Sequence, residues 1–203
     1  MKVLIAGLIP ILFIANLVSS SSKAEKTIIA INCGGDAYED ADGVIYESDN
    51  YYNKGTPSDY GLQYDIELTK DEELYQTERW ADGDLIYTLP FDTDPGTYVA
   101  ILKFSEVYFS QAGEKVFDVA LGSKVLVNNL DIFEQVGKAK AHDEFIEFEL
   151  RNDDIIYVKG QPIKDAYDSD YKTLTITFKK GLKDNPKVNA IVVFKGDIMG
   201  KKS

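Results

Sequence analysis

Short runs in which apolar and polar residues alternate recur along most of the chain. In residues 98–105, one face carries Tyr98, Leu102 and Phe104, while the other face begins apolar and ends polar. A period of two is typical of a β-strand with one buried face. Alternation, or an apolar run of strand length, also predicts strands at residues 27–32, 85–89, 116–121, 144–150, 174–178 and 188–195.

Turn-forming residues separate these runs, at 94–96, 122–123, 128–129, 180–181 and 184–186. Helical periodicity is scarce, and only residues 131–136 predict a helical turn or two. Many short strands joined by frequent turns are typical of sandwiches and barrels. The sequence therefore predicts an all-β fold, an antiparallel β-sandwich of jelly-roll type, in a single domain over residues 21–203.

Residues 34–80 depart from this pattern, because they are acidic, rich in turn residues and tyrosine, and lack a clear strand over most of their length. Long irregular segments in compact domains are usually functional loops on a rigid scaffold. Tyrosine suits such loops, since its ring face can stack on a sugar while its hydroxyl group hydrogen-bonds the sugar's rim. For any single ring, packing beneath the loops is the simpler interpretation. The aromatic residues of this segment are Tyr38, Tyr46, Tyr51, Tyr52, Tyr60, Tyr64, Tyr75 and Trp80.

The charge and the rare residues exclude several classes of function. The chain has 34 acidic and 22 basic residues and a net charge of −12, so neither nucleic acid nor an anionic membrane is an expected partner. The single cysteine, Cys33, excludes an internal disulfide and a multi-cysteine zinc site. We interpret Cys33 as a small buried residue and the single histidine, His142, as a structural hydrogen-bonding residue.

The acidic stretch at residues 36–49 contains part of a calcium-loop pattern at residues 40–43. A full EF-hand loop would place a ligand at Tyr38, which has no carboxylate. We interpret this stretch as a solvated acidic loop, and we expect no metal and no cofactor. The many carboxylates make acid–base pairs easy to find, so their number gives no support for a glycosidase.

The first twenty residues form a pattern of their own. Lys2 supplies a positive charge, residues 3–18 are uncharged and mostly apolar, and small residues follow at 19–22. This order is typical of a secretory signal peptide, so we expect residues 1–20 to be one, with cleavage near Ser20. An uncleaved anchor would need a longer apolar run, and no later run approaches spanning length. We therefore expect no membrane insertion after cleavage.

Eight short segments stand out together because of their order along the chain. They are IAINCGG (29–35), SDYG (58–61), LYQTER (74–79), LKFSEVYFS (102–110), KVFD (115–118), LDIF (130–133), AHDE (141–144) and DNPKV (184–188). In this order they resemble the malectin family of endoplasmic-reticulum lectins. The resemblance covers nearly the whole chain after the expected signal peptide. It implies a β-sandwich lectin without enzymatic activity that binds glucose-capped oligosaccharide, the α-linked di-glucose end of an immature N-glycan, on a glycoprotein.

The resemblance also implies a binding site. The family's pocket is built from four aromatic rings and an aspartate, which correspond here to Tyr60, Trp80, Tyr108, Phe109 and Asp184. Trp80 stands where the family has tyrosine, so the stacking face remains but an indole N–H replaces the phenol group. Tyr108 and Phe109 would point to opposite faces of an extended chain, so both reach one ligand only if the backbone turns there.

The location implied by the resemblance is the lumen of the endoplasmic reticulum, with a part in glycoprotein quality control. Animal members carry a C-terminal transmembrane helix and associate with ribophorin, a subunit of oligosaccharyltransferase. This sequence has neither such a helix nor a retrieval signal, which argues against the ribophorin association. A secreted carbohydrate-binding module for glucan or a cell-surface glycan is the alternative, and a glycoside hydrolase is a third interpretation.

Overall fold

The computed structural model describes residues 26–196. The expected signal peptide, and with it the expected domain start at residue 21, lies outside these residues. The described residues form two main β-sheets and a small third sheet. Helical structure is limited there to a 3-10 turn at Tyr60–Gln63 and two short helices, α1 (Glu73–Gln76) and α2 (Ile132–Val136). The all-β prediction is confirmed.

The larger sheet has eight strands and contains both the first and the last strand of the described chain. In spatial order its strands are β12 (Gln161–Ile163), β11 (Ile156–Val158), β10 (Ala141–Leu150), β7 (Gly96–Ser105), β16 (Ala190–Lys195), β1 (Thr27–Asn32), β3 (Ile45–Ser48) and β2 (Tyr38–Glu39). Neighbours are antiparallel except β1 and β3, which are parallel. Residues 190–193 of β16 are buried, as predicted, because Ile191 and Val193 pack into the core and Ala190 and Val192 pack into a second apolar cluster on the other face.

The smaller main sheet and the third sheet are also antiparallel. The smaller main sheet consists of β6 (Leu85–Pro90), β8 (Val116–Leu121), β9 (Lys124–Leu130), β13 (Tyr167–Asp168) and β14 (Thr173–Lys183). The long β14 pairs with β6, β8 and β13. The third sheet consists of β4 (Thr56–Ser58), β5 (Glu78–Trp80) and β15 (Lys187–Val188), with β5 in the middle.

The core lies between the two main sheets and is formed by alternate residues of their strands. Leu102 and Phe104 of β7 are fully buried, as are Ile176 and Phe178 of β14. The ring of Phe104 lies 6.1 Å from that of Phe178 and 5.9 Å from that of Phe117 on β8, measured between centroids. These contacts join the two layers, so the antiparallel β-sandwich is confirmed.

Part of residues 34–80 packs against the outer face of the larger sheet at β16. A second apolar cluster includes Ala190 and Val192 of β16 together with Tyr46, Leu74 and Tyr75 of this segment. Tyr46 and Tyr75 are buried, so packing beneath the loops was the right interpretation for both. The segment is also less irregular than expected, because it contains β2–β5 and α1.

Two predicted turns, at 128–129 and 180–181, are wrong. Asn129 lies within β9 at a left-handed φ of +52°, in a strand whose register against β8 shifts. Gly181 lies within β14, where the register against β8 also shifts, and a Cβ atom there would come 2.5 Å from the Val116 carbonyl oxygen. At both places, turn-favouring residues interrupt the regular pairing of a strand without ending it.

Candidate functional site

A pocket of about 380 Å³ opens where the three sheets meet. It lies beyond the ends of β7 and β14, and β5 forms one of its walls. Its volume falls near the lower end of the range of small-molecule sites, about 300–1,000 Å³. The lining residues are Ser58, Tyr60, Glu78, Trp80, Val107, Tyr108, Lys115, Asp184 and Asn185.

Three aromatic side chains, Tyr60, Trp80 and Tyr108, line this pocket. Tyr60 and Tyr108 meet edge to face, with 5.8 Å between ring centroids, yet Tyr108 remains 68% exposed. Phe109 is not a lining residue, but its ring meets Tyr108 edge to face at 5.1 Å. The Tyr108 ring is therefore held between two others while much of its surface is free for a ligand.

A buried carboxylate forms the turn that places Tyr108 and Phe109 side by side. Glu106 follows β7, is 1% exposed, and accepts the backbone N–H groups of Tyr108 at 2.8 Å and Phe109 at 3.0 Å through Oε1. Within residues 26–196, its Oε2 atom has no hydrogen-bond partner. Because one oxygen binds two successive N–H groups, the backbone turns there, so that the Tyr108 ring lines the pocket and the Phe109 ring packs against it.

Asp184 enters the pocket as an ion-paired carboxylate. Lys115, just before β8, donates from Nζ to Asp184 Oδ2 and to the Asn185 carbonyl oxygen. Burial opposes ionisation of Asp184, but the hydrogen bonds from Lys115 and the Asn185 N–H, with the charges of Lys115 and Lys180, hold its pKa below the ordinary 3.8. The carboxylate is therefore charged at neutral pH and can accept hydrogen bonds from hydroxyl groups.

A second lysine–carboxylate pair fixes the wall formed by β5. Lys187, on β15, is fully buried and donates from Nζ to Glu78 Oε2 on β5. It also donates to the carbonyl oxygen of Ser105 at the end of β7. One ammonium group thus joins the third sheet to the larger sheet beside the pocket.

Arg79 holds β5 from its other side. Its Nε donates to Asp49 Oδ2 at 2.6 Å and its Nη1 to the Gly55 carbonyl oxygen at 2.7 Å. Its guanidinium carbon lies 3.4 Å from the centroid of the Tyr52 ring. Tyr87 completes the network by donating its hydroxyl group to Asp49 Oδ1 at 2.8 Å. The side chain of Asp49, expected in a solvated loop, is therefore only 7% exposed. Tyr52 packs on Arg79 and does not line the pocket.

The structure brings four of the five sequence-predicted binding residues, Tyr60, Trp80, Tyr108 and Asp184, to one pocket, with Phe109 against its edge. Their role in binding stays a prediction. The sequence argument did not assign Lys115 or Glu78, although both lie within the segments that carried the resemblance. The resemblance therefore pointed to the segments that contain Lys115 and Glu78. Their pairing with Asp184 and Lys187 is visible only in the tertiary structure.

Cys33 and His142 occupy the structural positions expected of them. Cys33 is a fully buried free thiol, and burial, followed by the charge of Asp49, raises its pKa well above the usual value. His142 Nε2 lies 2.8 Å from Glu144 Oε1. Neither residue lines the pocket.

Neither a metal-binding cluster of histidine, cysteine and carboxylate residues nor a helix long and apolar enough to cross a bilayer is found within residues 26–196. In the acidic loop, Asp40 forms part of a turn. Its Oδ1 atom accepts the backbone N–H groups of Asp42 at 2.9 Å and Val44 at 2.8 Å.

Comparison with known sequences gives a consistent result. The profile of the Malectin domain matches residues 27–191. The chain is 38% identical over 183 residues to Malectin from Danio rerio, covering 88% of this chain and 61% of that protein. It is 38% identical over 180 residues to Malectin-A from Xenopus laevis, covering 87% and 62%. The chain thus spans about three fifths of the length of the curated relatives it matches.

Solved structures show a similar fold. The extracellular domain of ANXUR2 from Arabidopsis thaliana superposes on this chain with a TM-score of 0.67 at 17% sequence identity. The match covers 85% of this chain and 49% of that one. At this identity the likeness concerns the fold alone.

Proposed function

Because the chain belongs to the malectin family of carbohydrate-binding domains, we propose that its pocket binds the glucose-capped end of an oligosaccharide, the α-linked di-glucose end of an immature N-glycan. The observation that carries this proposal is the convergence of Tyr60, Trp80 and Tyr108 with the carboxylate of Asp184 around one pocket.

The rings and the carboxylate have complementary tasks in this proposal. A pyranose has an apolar C–H face, which can lie on an exposed ring such as that of Tyr108, and a rim of hydroxyl groups. Asp184 accepts hydrogen bonds from neighbouring hydroxyls, and a charged acceptor binds them more strongly than a neutral one. Each such bond replaces one to water, so the net gain is small and modest affinity is expected.

The state of the pocket's carboxylates supports binding without hydrolysis. A glycosidase needs one carboxylic acid with a raised pKa to protonate the leaving oxygen. The pKa of Asp184 is lowered instead, chiefly by Lys115, which overcomes the effect of burial, and Glu78 is bound by the ammonium of Lys187. Release of free glucose during prolonged incubation with α-linked glucose oligomers would overturn this part of the proposal.

We propose a part in glycoprotein quality control in the lumen of the endoplasmic reticulum. The resemblance to malectins supports this location, and a secreted carbohydrate-binding module is the alternative. Microscopy of the full chain with an internal tag distinguishes the lumen from the medium. A glycan array, probed with the same chain, distinguishes glucosylated N-glycans from glucans.

The test of the pocket is calorimetric titration with an α-linked glucose disaccharide. Tyr108→Ala removes an exposed stacking face, and we expect binding to weaken by about 2 kcal/mol or more, as for other aromatic anchors. The matched control is Tyr171→Ala, because Tyr171 is 80% exposed and lies just before β14, at the end opposite Asp184. Equal affinities for parent and Tyr108→Ala, with thermal melts showing both folded, would place the binding site elsewhere.

A further inference from the structure

Aromatic contacts continue beyond the pocket through Tyr60. The ring centroid of Tyr60 lies 5.8 Å from that of Tyr108 and 6.0 Å from that of Tyr64. Lys138 Nζ in turn lies 5.0 Å from the centroid of Tyr64. Tyr64 and Lys138 do not line the pocket, and they have no role in the proposed binding of the disaccharide. They form a partly exposed ring and a cation just outside its wall.

The backbone holds Tyr64 and Lys138 in fixed positions relative to the pocket. Tyr64 donates its N–H to the Gly61 carbonyl oxygen at 3.0 Å and accepts from Gln76 Nε2 at 2.9 Å. Its ring packs against the second apolar cluster. Lys138 pairs in a β-bridge with Glu106, the residue that forms the turn at Tyr108. The Tyr64 ring and the backbone of Lys138 are therefore positioned before any ligand arrives, which lowers the entropic cost of binding.

The charge on Lys138 is available to a ligand. Hydrogen bonds with Tyr60 and then with Lys138 lower the pKa of Tyr64. No carboxylate of residues 26–196 lies within ion-pair distance of the Lys138 ammonium. An ammonium group has three donors, so its contact with Tyr64 leaves others for oxygen atoms of a ligand.

We propose that Tyr64 and Lys138 form an additional subsite, which receives the next sugar residue of a neutral oligosaccharide whose glucose end occupies the pocket. This inference rests on the proposed function and deepens it. Tyr64 supplies a ring face and a hydroxyl group, and Lys138 donates to the sugar's hydroxyl oxygens. The pocket thus binds the glucose end of the glycan, and the subsite makes binding depend on the length of the glycan.

The experiment compares an α-linked glucose disaccharide with the corresponding linear trisaccharide by calorimetry on the full chain. The parent is expected to bind the trisaccharide more tightly. Tyr64→Ala should weaken trisaccharide binding about tenfold, as for a stacked aromatic side chain. Lys138→Gln, a conservative surface change, should weaken it about threefold, because one charged donor becomes neutral. Lys138→Gln should not alter disaccharide binding, and Tyr64→Ala, which also removes the contact with Tyr60, should weaken it less than trisaccharide binding.

The matched control is a second partly exposed tyrosine–cation pair. The guanidinium carbon of Arg151 lies 3.8 Å from the Tyr157 ring centroid, and Leu150, next to it, pairs with Gly96 at the end of β7 opposite Ser105. Tyr157→Ala and Arg151→Gln should leave both affinities unchanged.

Three outcomes would overturn the subsite. One is a parent that binds both sugars equally; another is a loss of disaccharide binding in Tyr64→Ala as large as the loss of trisaccharide binding. The third is a preference for an oligosaccharide that carries a carboxylate, which would show that Lys138 reads acidic sugars instead. Disaccharide binding persists in the first and third cases, so the proposed function survives. If the parent binds neither sugar, both proposals fail together.

Discussion

Two regions of the pocket use the same pair of chemical groups in different surroundings. At the inner wall, Lys187 is fully buried and donates to Glu78 and to the Ser105 carbonyl oxygen. At the outer wall, Lys115 binds Asp184, whose side chain is 31% exposed. The inner pair connects two sheets, whereas the outer pair leaves one edge of a carboxylate open. Burial, rather than chemistry, therefore separates an ion pair that supports the fold from one that can receive a ligand.

The largest expected effect comes from breaking the inner pair. Lys187→Met leaves Glu78 without its cation, and removing one partner of a buried pair costs about 3–5 kcal/mol of unfolding free energy. Urea denaturation measures this loss. The control is the double variant Lys187→Met with Glu78→Gln, which removes the stranded charge and should recover part of the stability. A single variant as stable as the parent would show that the inner pair does not hold the sheets together.

A smaller effect, on binding rather than folding, is expected at the outer pair. Asp184→Asn keeps the size and one acceptor oxygen but removes the charge, so disaccharide binding should weaken by about 1–2 kcal/mol. The unfolding free energy should change less than in Lys187→Met, since Lys115 still binds the Asn185 carbonyl oxygen. Calorimetry and urea denaturation of the same sample separate the two quantities. A variant that lost stability but not affinity would reverse the assignment of the two pairs.

The smallest expected effect is the dependence of the outer pair on pH. The folded pKa of Asp184 lies below its ordinary value of 3.8, so the stability that its charge contributes is fully present above that value. It is lost as pH falls through the lower, folded pKa. The difference in unfolding free energy between the parent and Asp184→Asn should therefore be constant at neutral pH and shrink in strong acid. A difference that already shrinks well above pH 3.8 would contradict the lowered pKa.

Strand positions could be predicted where one face of a strand is buried. Residues 116–121 coincide with β8, whose alternating apolar residues face the core, and residues 27–32 coincide with β1, an apolar run buried on both faces. Strand β9 was missed, since its residues lie half-buried or exposed over most of its length. The turn at Asn129 was misread because a residue that favours left-handed φ serves a β-bulge as well as a turn.

The aromatic residues and the aspartate that line the pocket were candidates from the sequence, but the electrostatics of the pocket could not be predicted. Matching motifs selected Tyr60, Tyr108 and Asp184 one by one, and the fold brings them together. Sequence spacing did not indicate that Lys115 would neutralise Asp184. Lys115 lies just before β8 and Asp184 just after β14, so the two residues meet only when these strands pair. The same limit applies to Glu106, whose burial below Tyr108 depends on neighbours far along the chain.

The pairing of β1 with β16 has a consequence for synthesis on the ribosome. These strands are the first and last of the described chain, yet they are neighbours in the interior of the larger sheet, and Lys195 donates its N–H to the Lys26 carbonyl oxygen at 2.8 Å. The hydrogen-bonding edges of β1 and β7 stay open until β16 has left the exit tunnel, and contacts so distant in sequence form slowly. A nascent chain halted before β16 therefore carries unpaired strand edges, which favour aggregation and recognition by chaperones.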